Sequence, residues 1–136
     1  FPIKIIGIVD RIDEFDGVTR IIDYKTGMVS SGDLKALNFD EIRDFKHNKA
    51  IQVLLYAYLY SQNNTVGKNT FIEAGIISFK NLKSGVLKMN FSSNYKNPEN
   101  KITEEKLEEF IMQIKVLLQE IYNPEISFLE PSLLPF

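Results

Sequence analysis

Two β-branched runs, Ile3 to Phe15 and Val18 to Tyr24, are separated only by Asp16-Gly17, and this spacing constrains the fold more than anything else in the chain. Asp-Gly between apolar runs is a strong signal for a two-residue β-turn, whose central positions need positive φ. If these two residues turn, Phe15 pairs with Val18 and the numbers of each facing pair sum to 33. Asp13 then falls opposite Arg20, an ordinary cross-strand ion pair, and Glu14 falls opposite Thr19. Asp10 falls opposite Asp23, and Ile8 opposite Lys25. Side chains alternate along a strand, so Asp10, Asp23 and Lys25 share one face.

Like charges directly opposite one another destabilise a sheet. A shared proton or a bound cation would compensate. The same face carries Ile6, Ile8, Ile12 and Ile21, which favour burial. Charges embedded in an apolar face point to function. The competing interpretation is a hairpin face exposed to water, with both carboxylates solvated and the chain a small structural α/β domain.

Downstream, residues 26–48 have mixed polarity and two glycines, and read as a long loop unless a short helix forms around Asp40–Phe45. Loops of that length inside a compact domain are usually functional or mobile. The segment NKAIQVLLYAYLYSQNN reads as a helix with Asn48 as its N-cap, nearly devoid of polar residues from Ala50 to Tyr60 and so buried on most sides. TFIEAGIISF and GVLKMNFS read as two further strands joined as a hairpin. An amphipathic helix then runs from Thr103 to about Tyr122. Thr103 suits its N-cap, and Leu107, Phe110, Ile111, Ile114, Leu117, Leu118 and Ile121 form its apolar stripe. Asn123-Pro124 ends it, and the tail EISFLEPSLLPF, without periodicity, is expected to lie across the surface. The order strand, strand, helix, strand, strand, helix predicts one α/β domain over residues 1–136.

With 136 residues, 44% of them hydrophobic, the chain is long enough for a packed core. It opens on Phe1-Pro2 rather than methionine, as an excised domain or processed fragment would. The absence of cysteine excludes disulfides, thiolate metal sites and iron–sulfur clusters within it. No apolar run reaches the roughly 20 residues of a membrane span and no signal peptide is visible, so a cytoplasmic protein without a membrane partner is expected. The net charge of −2 neither requires nor forbids nucleic acid as a partner.

Two carboxylates with a lysine beside them suit a hard cation. Mg²⁺ prefers oxygen ligands and keeps several waters, so one or two carboxylates suffice. A lysine nearby could orient an attacking water or neutralise charge developing on a phosphate. The chain has no Gly-x-Ser-x-Gly, no cysteine nucleophile and no phosphate-cradling glycine loop, so phosphodiester hydrolysis fits better than acyl transfer. Gln52 is the only non-aromatic polar side chain between Ala50 and Tyr60, and Tyr56 lies one helical turn away on the same face. A buried glutamine needs partners. His47 reads as a solvent-exposed loop histidine, and Lys35, Arg43, Lys46 and Lys49, interleaved with Asp33, Asp40, Glu41 and Asp44, as a solvated charge mixture whose lysines could touch phosphates.

GIVD (Gly7–Asp10), DYKTG (Asp23–Gly27) and QVLLY (Gln52–Tyr56) together resemble the PD-(D/E)XK nuclease superfamily, with its GxxD strand, D-x-K strand and QxxxY helix in order. The resemblance is to its RecB/AddB-like nuclease domains, found in helicase–nuclease complexes of the AddAB and RecBCD type and in Cas4-like proteins. It implies a restriction-endonuclease-like core: a central mixed β-sheet flanked by helices. Asp10 and Asp23, with the main-chain carbonyl of Tyr24, would bind Mg²⁺ or Mn²⁺. Lys25 would position the nucleophilic water and stabilise the transition state. Gln52 and Tyr56 would orient the Lys25 region and contact the DNA backbone. The implied activity is that of a Mg²⁺-dependent exodeoxyribonuclease processing DNA ends in recombination and repair, within or beside a helicase. The alternative is a catalytically inactive nuclease-fold module that binds DNA or a partner protein. The family's upstream helix, often a carrier of a further metal ligand, would precede this segment, and no iron–sulfur cluster is expected within it.

Overall fold

The structure, a computed structural model, describes residues 2–65 and 71–129. Strands β1 (Arg11–Phe15) and β2 (Val18–Lys25) are followed by helix α1 (Asn48–Asn63), strands β3 (Phe71–Ser78) and β4 (Leu87–Lys88), and helix α2 (Glu104–Tyr122). The four strands form one mixed sheet in the order β1-β2-β3-β4. β1 and β2 are antiparallel, β2 and β3 parallel, β3 and β4 antiparallel. Parallel neighbours need a crossover, and α1 supplies it between β2 and β3. The expected element order and fold class are both found, a restriction-endonuclease-like mixed sheet flanked by helices.

Asp16 and Gly17 both have positive φ, 53° and 72°, as the mirror-image turn requires. The hairpin register follows: Phe15 pairs with Val18, Asp13 with Arg20, and Arg11 with Ile22. Asp13 accepts two hydrogen bonds from the Arg20 guanidinium at 2.7 Å, so the anticipated cross-strand pair forms.

One side of the sheet is a continuous core. Ile21, Ile72, Ala74 and Ile76 form a single cluster with Ala50, Val53, Leu54 and Ala57 of α1 and Leu107, Phe110 and Ile114 of α2. The buried α1 positions fall at the i, i+3, i+4, i+7 spacing of one helical stripe. The other described α1 positions are half-buried or exposed, so α1 is buried along one side rather than on most sides. Its N-cap is His47, not Asn48, which is already helical. In α2 the Thr103 hydroxyl accepts from Lys106 N at 3.2 Å and caps the helix as expected, and Asn123 follows its last turn. Ile121, in that last turn, is exposed because the stripe there has passed the end of the core.

One further expectation is corrected. The first strand does not run from Ile3 to Phe15: regular pairing begins at Arg11, and residues 2–9 take no strand structure. In a continued ladder the Tyr24 N–H would donate to the carbonyl of Val9, since bonded pairs alternate. The Asp10 carboxylate takes that donor instead, at 2.8 Å, and ends the ladder. Beyond that point Ile6 and Ile8 are exposed, Ile8 to 88%; Ile12 is exposed too although it pairs with Ile21 in the ladder, and only Ile21 of the four isoleucines is buried.

The stretch before α1 is the expected long loop, with no α-helix at Asp40–Phe45. Short 3₁₀ turns occur at Ser31–Leu34, Phe39–Glu41 and Phe45–His47. The loop is anchored rather than loose, because Val29, Leu34, Ala36 and Ile42 enter the core. Arg43 also pairs with Glu120 at 2.5 Å and Gln113 donates to Asp40 at 2.9 Å, tying the loop to α2.

The second hairpin is short: β4 has two residues, and a 3₁₀ turn at Leu82–Ser84 separates it from β3. Residues 124–129 of the tail carry no helix or strand, with Phe128 and Leu129 exposed, and residues 130–136 lie outside the described set. Among the described residues, no helix is long and apolar enough to cross a membrane.

Candidate active site

The end of β2 carries Asp23, Tyr24 and Lys25 in successive positions. Asp23 and Lys25 point to the core side, toward α1, and Tyr24 to the other. Asp23 is 4% exposed, whereas Lys25 is half-buried and reaches along the α1 surface. The Lys25 ammonium donates to Gln52 Oε1 at 2.6 Å and stands 2.9 Å from Asp23 Oδ2. Gln52 turns its amide nitrogen the other way, to the Tyr56 hydroxyl at 2.9 Å and to Asp23 Oδ1 at 3.5 Å. Gln52 and Tyr56 are one turn apart on α1, so the stacking expected of i and i+4 residues is realised as a hydrogen bond. A carbonyl oxygen facing the ammonium and an NH₂ facing hydroxyl and carboxylate is the one amide orientation in which every contact has a donor and an acceptor.

Asp10 stands at the open end of the hairpin, where its Oδ2 holds the Tyr24 N–H. The Lys25 carbonyl accepts from Phe79 N at 2.9 Å, on the β3 side. Main-chain groups of successive strand residues point to opposite edges, so the Tyr24 carbonyl points with its own N–H toward the Asp10 side. Asp10 and the Tyr24 carbonyl thus lie on one edge at the end of the hairpin, while the Asp23 side chain is buried toward α1, and the expected Asp10–Asp23 pair is not part of the ladder, which stops at Arg11–Ile22. The turn after Lys25 is braced from β3: the Ser78 hydroxyl, fully buried, donates to the Gly27 carbonyl at 2.6 Å. Ser78 had no signal in the sequence, since a serine at a strand end has no distinguishing pattern.

These oxygens suit a hard divalent cation. Asp23 Oδ2 is buried and has no hydrogen-bond partner; the nearby Lys25 ammonium neutralises it without hydrogen-bond geometry. A carboxylate oxygen has further lone pairs beyond the one an ammonium meets, so it could also serve as a ligand. Asp10 keeps one oxygen beyond the one given to Tyr24 N. Among the described residues no three acidic, histidine or cysteine side chains converge on a point, so a cation here would rest on two carboxylates, a main-chain carbonyl and water.

Of the remaining charged residues, Lys49 lies 3.8 Å from Asp33, Lys46 3.5 Å from Asp44, and the Lys35 ammonium 4.2 Å from the centre of the Tyr95 ring. Their charges are met locally, as a solvated mixture would be. His47 is corrected: its ring is half-buried, and Nε2 is buried with no hydrogen-bond partner. Its place between the last 3₁₀ turn and α1 packs it down rather than leaving it in solvent.

A family model described as the PD-(D/E)XK nuclease superfamily matches residues 1–131. No curated protein matches the chain, and no solved structure does.

Proposed function

The chain belongs to the PD-(D/E)XK nuclease superfamily, and from that premise we propose that it is a divalent-metal-dependent DNA nuclease with Asp10, Asp23, Tyr24, Lys25, Gln52 and Tyr56 as its working residues. The observation that carries this reading is the Lys25 ammonium held between Gln52 and the buried Asp23 carboxylate. Asp10, Asp23 and the Tyr24 carbonyl would hold Mg²⁺ or Mn²⁺, which when bound supplies Lewis acidity toward a phosphodiester oxygen. Lys25 places its N–H groups where an attacking water and the charge growing on the phosphate can both be met. Gln52 fixes the direction of that ammonium by accepting one of its protons. Tyr56 fixes Gln52 in turn, and on this reading would also contact the DNA backbone.

The matched motifs favour the RecB/AddB-like branch. On that reading residues 1–136 form one nuclease domain acting as an exonuclease on DNA ends in recombination and repair, in the cytoplasm and within or beside a helicase.

The test is cleavage of end-labelled linear DNA and of closed circular DNA in Mg²⁺. Wild type should cleave the linear substrate and spare the circle. Lys25→Ala and Asp23→Ala should lose at least about 100-fold in rate, the cost of removing a group that stabilises a developing charge, while circular dichroism stays native. Cleavage at the wild-type rate by Lys25→Ala would overturn the mechanism, and cutting of the circle would replace the exonuclease with an endonuclease.

A further inference from the structure

Gly7 lies three residues before Asp10 in a segment that has neither strand nor helix structure. A Cβ placed on it would come within 2.9 Å of Tyr56 Cε1 and 3.2 Å of Tyr56 Cδ1. Carbon atoms rest at about 3.5–4.0 Å from one another. The Tyr56 ring therefore occupies the space that any other residue at position 7 would fill.

What the ring does there is visible from its far end. The Tyr56 hydroxyl accepts from Gln52 Nε2 at 2.9 Å, and Gln52 Oε1 accepts from Lys25 Nζ at 2.6 Å. One contact and two hydrogen bonds run in series from the Gly7 backbone to the lysine. The segment bearing Asp10 is fastened to the sheet by the Asp10–Tyr24 N hydrogen bond, packs against the core through Ile5 and Val9, and runs close past Tyr56 of α1 at Gly7. Asp10 and Lys25 belong to different segments of chain, and α1 is the body against which both are set.

We infer that Gly7 is a positioning residue for Lys25: its bare Cα seats the Tyr56 ring, and through Tyr56 and Gln52 it sets where the ammonium stands relative to Asp10. A side chain at position 7 pushes the ring outward, draws the hydroxyl off Gln52 and frees the amide to rotate. The kinetic consequence rests on the nuclease reading; the displacement of Gln52 does not.

The experiment compares Gly7→Ala, Tyr56→Ala and the double variant with wild type, in two measurements. The first is the ¹H–¹⁵N spectrum of the Gln52 side-chain amide, identified by its loss in Gln52→Ala. Gly7→Ala should move this signal while the melting temperature stays near wild type; an unmoved signal in folded Gly7→Ala overturns the inference, whatever the activity. The second is steady-state cleavage. Gly7→Ala should lower kcat about tenfold with KM for DNA within twofold, because displacements well under 1 Å are costly in an active site. Residues acting through one another are non-additive, so the double variant should match Tyr56→Ala within about twofold. Losses that multiply overturn the inference. If Gly7→Ala does not fold alone, folding regained in the double variant locates the clash at Tyr56 and supports it, and a double variant that also fails to fold overturns it. A moved Gln52 signal together with a wild type that cleaves no DNA supports the positioning contact and overturns the nuclease reading.

Discussion

Lys25 and Gln52 are joined end to end, with the ammonium donating to the amide oxygen at 2.6 Å across 27 residues of chain. One residue is near the end of a strand and the other in the second turn of the helix that crosses over to β3. The bond therefore exists only when the crossover has packed onto the sheet. It couples the placement of the lysine to the completion of the fold, which is how a flexible four-carbon side chain acquires a fixed direction.

From this bond follows a kinetic signature for Gln52. Gln52→Ala should leave DNA affinity nearly unchanged and lower kcat by about 100-fold, the order of loss seen when a reacting group is misplaced by about 1 Å. Steady-state kinetics against labelled DNA check it. A raised KM with intact kcat would place Gln52 in DNA binding instead.

On the nuclease reading, the buried Asp23 carboxylate predicts stabilisation by metal alone, without DNA. A ligand that binds only the native state adds about 2.7 kcal/mol at a hundredfold excess over its Kd, which for a domain of this size is on the order of 10 °C in melting temperature. Mg²⁺ and Mn²⁺ should each raise the Tm of wild type, and Asp23→Asn should abolish the rise. Equal shifts in both proteins would assign the effect to some other site.

On the opposite face of the sheet, hydrogen bonds from Arg20 and then Arg11 hold the Asp13 carboxyl below its ordinary value of 3.8. A depressed folded-state pKa contributes stability that is present above the unfolded value and lost as pH falls through the folded one. The contribution should therefore be complete above about pH 4 and fade at more acidic pH. In Asp13→Asn, Tm measured against pH should show a shallower acid limb than wild type, with the two curves parallel from pH 5 to 8. Identical acid limbs would show that the pair is too well solvated to matter.

The sequence by itself determined the features that depend on neighbours along the chain. Asp16-Gly17 set the turn, the turn set the register, and the register brought Asp13 to Arg20. Thr103 and the spacing from Leu107 to Ile114 marked α2 because caps and helical stripes are matters of local geometry. The motifs Gly7–Asp10, Asp23–Gly27 and Gln52–Tyr56 were legible for the same reason, each being a few residues long. Only the tertiary structure decided where β1 stops, because a side-chain carboxylate competes with the backbone for the Tyr24 donor and residue type does not announce the winner. It also decided which isoleucines of the hairpin are buried, because alternation defines a face but not how far the helices cover it. The same holds for His47, for Ser78 under the turn, and for Gly7 against Tyr56. Each of these is a contact between segments distant in sequence, fixed by how helix and sheet pack together, and packing at that scale leaves no periodic trace in the chain.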